Sequence, residues 1–228
     1  YLSCITPVFG LLFGMVHQMS IDDVLSLIFI DILFAIVFIF YLESDRLHKK
    51  DKPDSSEDYQ RICEYYTAGI IIMLIASFFP GYTAPMLILA FLLAAGLDKE
   101  QALVIMLFFT AQMAHSGHTT AGMTACYLVM ALIGVLLTGM YDPKEYRRYA
   151  EMMTLALSIS IPVLFYYIDV GIPTVKLLIF SFVSGVIGVL GMHFLYDLVH
   201  FRLAHFGEIS LDTIVDANFH LVREIKKY

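Results

Sequence analysis

"TTAGMTACYLVMALIGVLLTGM", residues Thr119 to Met140, contains no charged side chain. As a helix, a run of this length rises about 33 Å, enough for a hydrocarbon core of about 30 Å. Thr67 to Phe79 is a second charge-free run. Apolar residues make up 59% of the 228 positions and charged ones 15%, against about half and about a quarter in a soluble domain. One soluble core cannot bury so much apolar surface. The sequence therefore predicts an all-α, polytopic transmembrane bundle of about six to eight membrane helices.

Working outward from this stretch, polar breaks delimit eight apolar spans. They are Leu2 to Val16, Val24 to Leu42, Ala68 to Phe79, Ala84 to Ala95, Ala102 to Ala114, Ala121 to Met140, Met152 to Ile168 and Val175 to Leu198. The third to fifth are short for a crossing; polar neighbours such as Glu64 and Tyr65 could lengthen them, or they dip without spanning. Lysine and arginine gather on the cytoplasmic side of membrane proteins. Eight alternating crossings put thirteen of the fourteen lysines and arginines on one side and leave only Lys176 opposite. Merging the third and fourth spans at Pro80 would divide them. The expected arrangement is thus a multi-pass protein of the cell membrane with a cytoplasmic C-terminus. Its membrane domain covers 1–200, with a solvated cytoplasmic loop near 43–65, and a cytoplasmic connector covers 201–228. The opposite-side loops are only a few residues each.

A net charge of −7 and the lack of a basic stripe exclude nucleic acid as a partner. Cys4, Cys63 and Cys126 form no disulfide framework and read as reduced thiols. The start at Tyr1 has no basic region followed by a small-residue cleavage site, so no signal peptide is read, and the chain is expected to continue a longer one.

Several residues could carry chemistry. Asp31 sits near the middle of the second span, where an ionisable group costs several kcal/mol by insertion scales. It could relay protons or bind a cation; equally it could accept hydrogen bonds from a neighbouring Ser, Thr or Tyr, or remain protonated. His115 and His118, with Gln112 one turn earlier, have the spacing of a shared zinc ion. The nearby sequence offers no cysteine or carboxylate to complete four ligands, and Gly117 favours a tight loop capped by interfacial histidines. His193, Asp197 and His200 fall at i, i+4 and i+7 on one helical face. That face suits a metal or acid–base chemistry, and equally a polar boundary at the membrane surface. No phosphate loop, nucleophile elbow or zinc-protease signature occurs. The last span carries Ser181, Ser184, Gly185, Gly188 and Gly191, whose spacing lets helices approach closely, within the bundle or across a homodimer.

The tail "HFGEISLDTIVDANFHLVREIKKY", His205 to Tyr228, is polar where the rest is apolar. Leu211, Ile214, Val215, Leu221, Val222 and Ile225 gather on one side of a broken helix, and Asp212, Asp216, Arg223, Glu224 and Lys227 decorate the other. Three stretches resemble the membrane portion of the seven-transmembrane receptor family with an intracellular HD phosphohydrolase domain, the PgpH type. They are "YTAPMLILAFLLAAGLDKEQALVIMLFFT", "GMHFLYDLVH" with Asp197, and "ISLDTIVDANFHLVREI" with Leu211, Asp216, Asn218 and Leu221. His193 and His220 stand where that family often has proline. The resemblance implies a membrane domain that anchors, and passes a signal to, a cytoplasmic phosphodiesterase hydrolysing cyclic dinucleotides, notably cyclic di-AMP. The catalytic residues, and a divalent manganese or iron, would belong to an HD domain beyond Tyr228. No catalytic residue and no cofactor are expected within these 228 residues, whose partners would be the bilayer and that domain. Coupling would run through Asp197, Leu211, Asp216, Asn218 and Leu221. The alternatives are a small transporter or channel using Asp31, Gln112, His115 and His118, and a membrane-embedded enzyme on His193, Asp197 and His200.

Overall fold

A computed structural model describes the backbone at 2–48, 55–115, 119–141 and 146–195, with side chains at 4–44, 59–115, 119–141 and 146–195. Among these residues the chain is all helical, without a strand. The helices are α1 (Leu2–Val16), α2 (Ile21–His48), α3 (Ser55–Ala76), α4 (Met86–Gly96), α5 (Lys99–His115), α6 (Ala121–Tyr141) and α7 (Arg147–Asp169). A 3-10 turn, Gly81–Thr83, precedes α4. A further apolar helix, α8, covers Val175–Leu195.

Helix starts follow local chemistry. The Ser20 hydroxyl accepts from the Asp23 amide at 3.2 Å, ahead of α2. Thr120 accepts from Met123 at the start of α6 and Thr174 from Leu177 at the start of α8, both at 3.2 Å. Each satisfies an amide that the first turn leaves without an intrahelical partner. α7 ends where the Val170 and Gly171 amides both reach the Tyr166 carbonyl. Gly171 has φ +114°, a conformation that glycine adopts without strain.

Four segments are long and apolar enough to cross a membrane: Ile21–Ser44, Ala121–Tyr141, Arg147–Asp169 and Val175–Leu195. Their outer faces agree with that reading. On α2, Leu27, Asp31, Phe38 and Leu42 are buried, while Phe29 and Phe40 on other faces are 69% and 72% exposed. A helix apolar on both its buried and its exposed face suits lipid rather than water.

The short spans resolve differently from one another. α3 begins at Ser55 rather than near Ala68, which gives it 22 residues. Ile62, Tyr66, Ile70, Met73 and Ala76 form its buried stripe. Much of the stretch expected to be a solvated loop is therefore helix. Tyr59 on α3 donates to Glu43 on α2 at 2.9 Å, and 49–54 lie outside the described residues. α4 has only 11 residues, eight of them buried. At about 1.5 Å per residue it is near half a bilayer core in length. It is a central helix packed by α3, α5 and α6 rather than a full crossing.

The core draws on all eight helices, reaching Ile161 of α7 and Leu177 of α8, with Phe9, Phe13, Phe38, Tyr66, Met73 and Phe109 fully buried or nearly so. Packing of the first compact unit extends through Met192. The expected 200/201 boundary lies outside the described residues. Cys4, Cys63 and Cys126 are all free thiols.

Candidate functional site

Asp31 is presented by α2, whose 27, 31, 38 face turns inward because the apolar spacing there matches the helical period. It is 0% exposed. α1 supplies the opposing wall through Gly10, where a Cβ would collide with the Asp31 carboxylate and come within 2.9 Å of Leu27. The Gly10 backbone thus lies beside the carboxylate, but its N–H belongs to the i→i−4 ladder of α1. No hydrogen bond of standard geometry reaches either Asp31 oxygen.

Hydroxyls and rings surround this carboxylate. Tyr66 on α3 donates to the Thr6 hydroxyl on α1 at 3.3 Å. The Tyr66 ring stacks on Phe109 of α5 at 5.7 Å and near Phe34 of α2 at 6.4 Å. Phe34 and Phe108 stack closely, with centroids 3.7 Å apart. Phe9 of α1 meets Phe109 edge-on at 5.9 Å. Asp31 therefore lies where α1, α2, α3 and α5 converge.

Gln112 lies on the inward face of α5, in register with Ile105, Phe108 and Phe109. It is 0% exposed, and neither its Oε1 nor its Nε2 has a hydrogen-bond partner. His115, one turn on, is half-buried at the end of α5. His118, the expected partner of His115, lies outside the described residues. His193 falls in the last described turn of α8. Asp197, His200, Leu211, Asp216, Asn218 and Leu221 lie outside the described residues. Among the described residues, no three His, Cys, Asp or Glu side chains gather as a metal-ligand set.

Packing of α8 favours the intramolecular reading of its small-residue stripe. A Cβ on Gly185 would stand 3.0 Å from Leu155 and 3.1 Å from Ser158, both on α7. On Gly188 it would meet Thr154 at 3.3 Å, and on Gly191 it would strike Ile88 of α4.

A second polar cluster, which sequence reading missed, closes one end of the bundle. The Thr120 hydroxyl donates to Asp169 at 2.6 Å, and the Tyr82 hydroxyl donates to the same carboxylate. Tyr127 donates to the Gly81 carbonyl, and the Tyr82 ring meets Tyr166 edge-on at 5.5 Å. Gly81 has φ +50°, which lets the turn fold back over α6. Burial, and then the bond to Asp169, push the Tyr82 phenol up to about 12. It is therefore a neutral donor under physiological conditions. This clasp ties the 3-10 turn to the first turn of α6 and the last of α7. Asp169 itself is exposed, and the cluster serves to hold helix ends.

Comparison with protein-family models, with curated proteins and with solved structures gives no match for this chain.

Proposed function

We propose that this chain is the membrane domain of a larger protein, anchoring a cytoplasmic HD phosphodiesterase that acts on cyclic dinucleotides such as cyclic di-AMP, and passing a signal to it. One observation carries the reading: a bundle with apolar outer faces is followed in the sequence by a polar segment in which Leu211, Ile214, Val215 and Leu221 have the spacing of an apolar helical stripe. Such a stripe needs a soluble partner to cover it. The resemblance of 209–225 to the connector of the PgpH-type family names that partner as an HD domain.

In this reading α8 is the transmitting element. Its glycines stand directly against α7, Gly185 at Leu155 and Ser158 and Gly188 at Thr154, and Met192 accepts from the Thr154 hydroxyl at 3.0 Å, so a shift of one helix is passed to the other. The two positions of α8 would differ in how they present 201–228 to the catalytic domain, and a ligand or a change in the bilayer biases the equilibrium by preferring one of them.

The test uses the native gene product in its own membranes. Manganese-dependent hydrolysis of cyclic di-AMP is expected, together with labelling of a cysteine placed at Lys227 only from the cytoplasmic side. A natural polypeptide lacking a metal-binding His-Asp pair after 228, or labelling from outside the cell, would falsify the proposal.

A further inference from the structure

We propose that Asp31 and Gln112 form a binding site for a monovalent cation inside the helical bundle. The proposal rests on α1, α2, α3 and α5 alone, and stands or falls independently of any phosphodiesterase.

The first support is burial without protein partners. Both side chains are 0% exposed; neither polar atom of Gln112 has a hydrogen bond, and Asp31 has none of standard geometry, with only the Gly10 backbone beside its carboxylate. A bare carboxylate in an apolar bundle is expensive, and an unsatisfied amide adds to the cost. Buried polar side chains nearly always find partners, so two such residues in one core point to a ligand they share.

The second support is register. Tyr59 meets Glu43 and Tyr66 stacks near Phe34, so α2 and α3 run in opposite senses. Gly96 of α4 faces Tyr65 of α3, and Gly69 of α3 lies close to Leu93, which makes that pair antiparallel too. The connection at 97–98 then turns the chain back into α5, so α5 is antiparallel to α2. Asp31 precedes Phe34 by one turn, and Gln112 follows Phe108 by one turn. Because Phe34 and Phe108 are stacked, Asp31 and Gln112 lie on the same side of that stack, at similar depth.

The donor set defines the ligand class. Asp31 offers carboxylate oxygens and Gln112 an amide oxygen. The hydroxyl pair Thr6 and Tyr66 lies in the same four-helix junction. These are hard oxygen donors, suited to alkali or alkaline-earth ions rather than to zinc or copper. Charge decides between the two. One carboxylate and one monovalent ion make a neutral site, whereas a divalent ion would leave a net positive charge in low dielectric. A proton would also neutralise Asp31, but it engages a carboxylate oxygen alone, whereas a sodium ion bridges that carboxylate and the Gln112 amide oxygen. Sodium is the probe of choice.

The test uses the full chain in lipid nanodiscs, carrying Cys4→Ser and Cys63→Ser throughout so that a thiol-reactive dye follows unfolding through the fully buried Cys126 alone. Sodium chloride replacing N-methylglucamine chloride at equal ionic strength should raise Tm by about 3 °C or more. Asp31→Asn keeps the shape, removes the charge and should abolish that increment. Gln112→Leu should fold and shrink it. Radioactive sodium should bind wild type at one site and be lost from Asp31→Asn. The idea is overturned if lithium, sodium and potassium all leave Tm unchanged, or if Asp31→Asn keeps the increment. A stability that follows pH through Asp31 yet ignores sodium also overturns it, by making the occupant a proton.

Discussion

Gly10 and Asp31 show how one missing methyl group defines a site. The carboxylate occupies the space that a Cβ at Gly10 would need. Gly10→Ala is therefore expected to destabilise the protein by about 1–3 kcal/mol, the usual cost of overpacking. Adding Asp31→Ala should recover most of that loss, since the colliding group is gone; denaturant titrations of the two single variants and the double variant measure it. Tyr127→Phe tests the clasp at the same scale. It deletes a single hydroxyl donating to the Gly81 carbonyl, so a loss of about 1 kcal/mol is expected by the same titration. An unchanged midpoint would mean that the turn is held by Tyr82 and Asp169 alone.

Among helices, close approach is decided by which atoms stand opposite a glycine. At the crossing of α4 and α6, a Cβ on Gly134 would lie 2.6 Å from the Ala90 Cβ and 3.2 Å from the Leu87 carbonyl. Both obstacles are backbone or fixed to it, so Gly134→Ala should lower thermal stability by about 1–3 kcal/mol. Gly139, on the same helix, faces only the end of Lys99 at 3.2 Å. Gly139→Ala should be neutral or stabilising, by up to about 1 kcal/mol of helix propensity. Thermal unfolding in detergent distinguishes them, and equal losses at the two positions would contradict the packing described. The start of α3 carries a related lesson. Its polar first half, 55–66, reads as linker by composition. The recurrence of Ile62, Tyr66, Ile70 and Met73 at helical spacing was nevertheless present to be read. Composition masked periodicity there. Elsewhere, apolar runs bounded by polar breaks located the helices, with ends up to six residues off where polar turns extend them, as at the end of α2 and the start of α7.

For the molecule as a whole, the outward faces predict the solvent. The chain has no tryptophan, so single introduced tryptophans are clean reporters. In bilayers containing brominated lipid, Phe29→Trp and Phe40→Trp should be strongly quenched, while Phe38→Trp, which faces the core, should not. Equal quenching at all three positions would contradict the arrangement of α2. Asp31 and Gln112 were both visible in the sequence as polar residues in apolar runs, but their common depth was not. That depth is set by the Phe34–Phe108 stack, a tertiary contact that no local pattern encodes. The clasp was hidden for the same reason, since its members come from separate connections: Tyr82 is 38 residues from Thr120, and Thr120 is 49 from Asp169.

That knot of Tyr82, Thr120 and Asp169 makes the bundle a lever with its fulcrum at one rim. α8 is rooted only a few residues beyond Asp169 and then runs for 21 residues. Over about 30 Å of helix, a swing of about 4° at the root becomes a travel of about 2 Å at the far tip. Small rotations beside the fulcrum would thus be amplified toward the far end of α8.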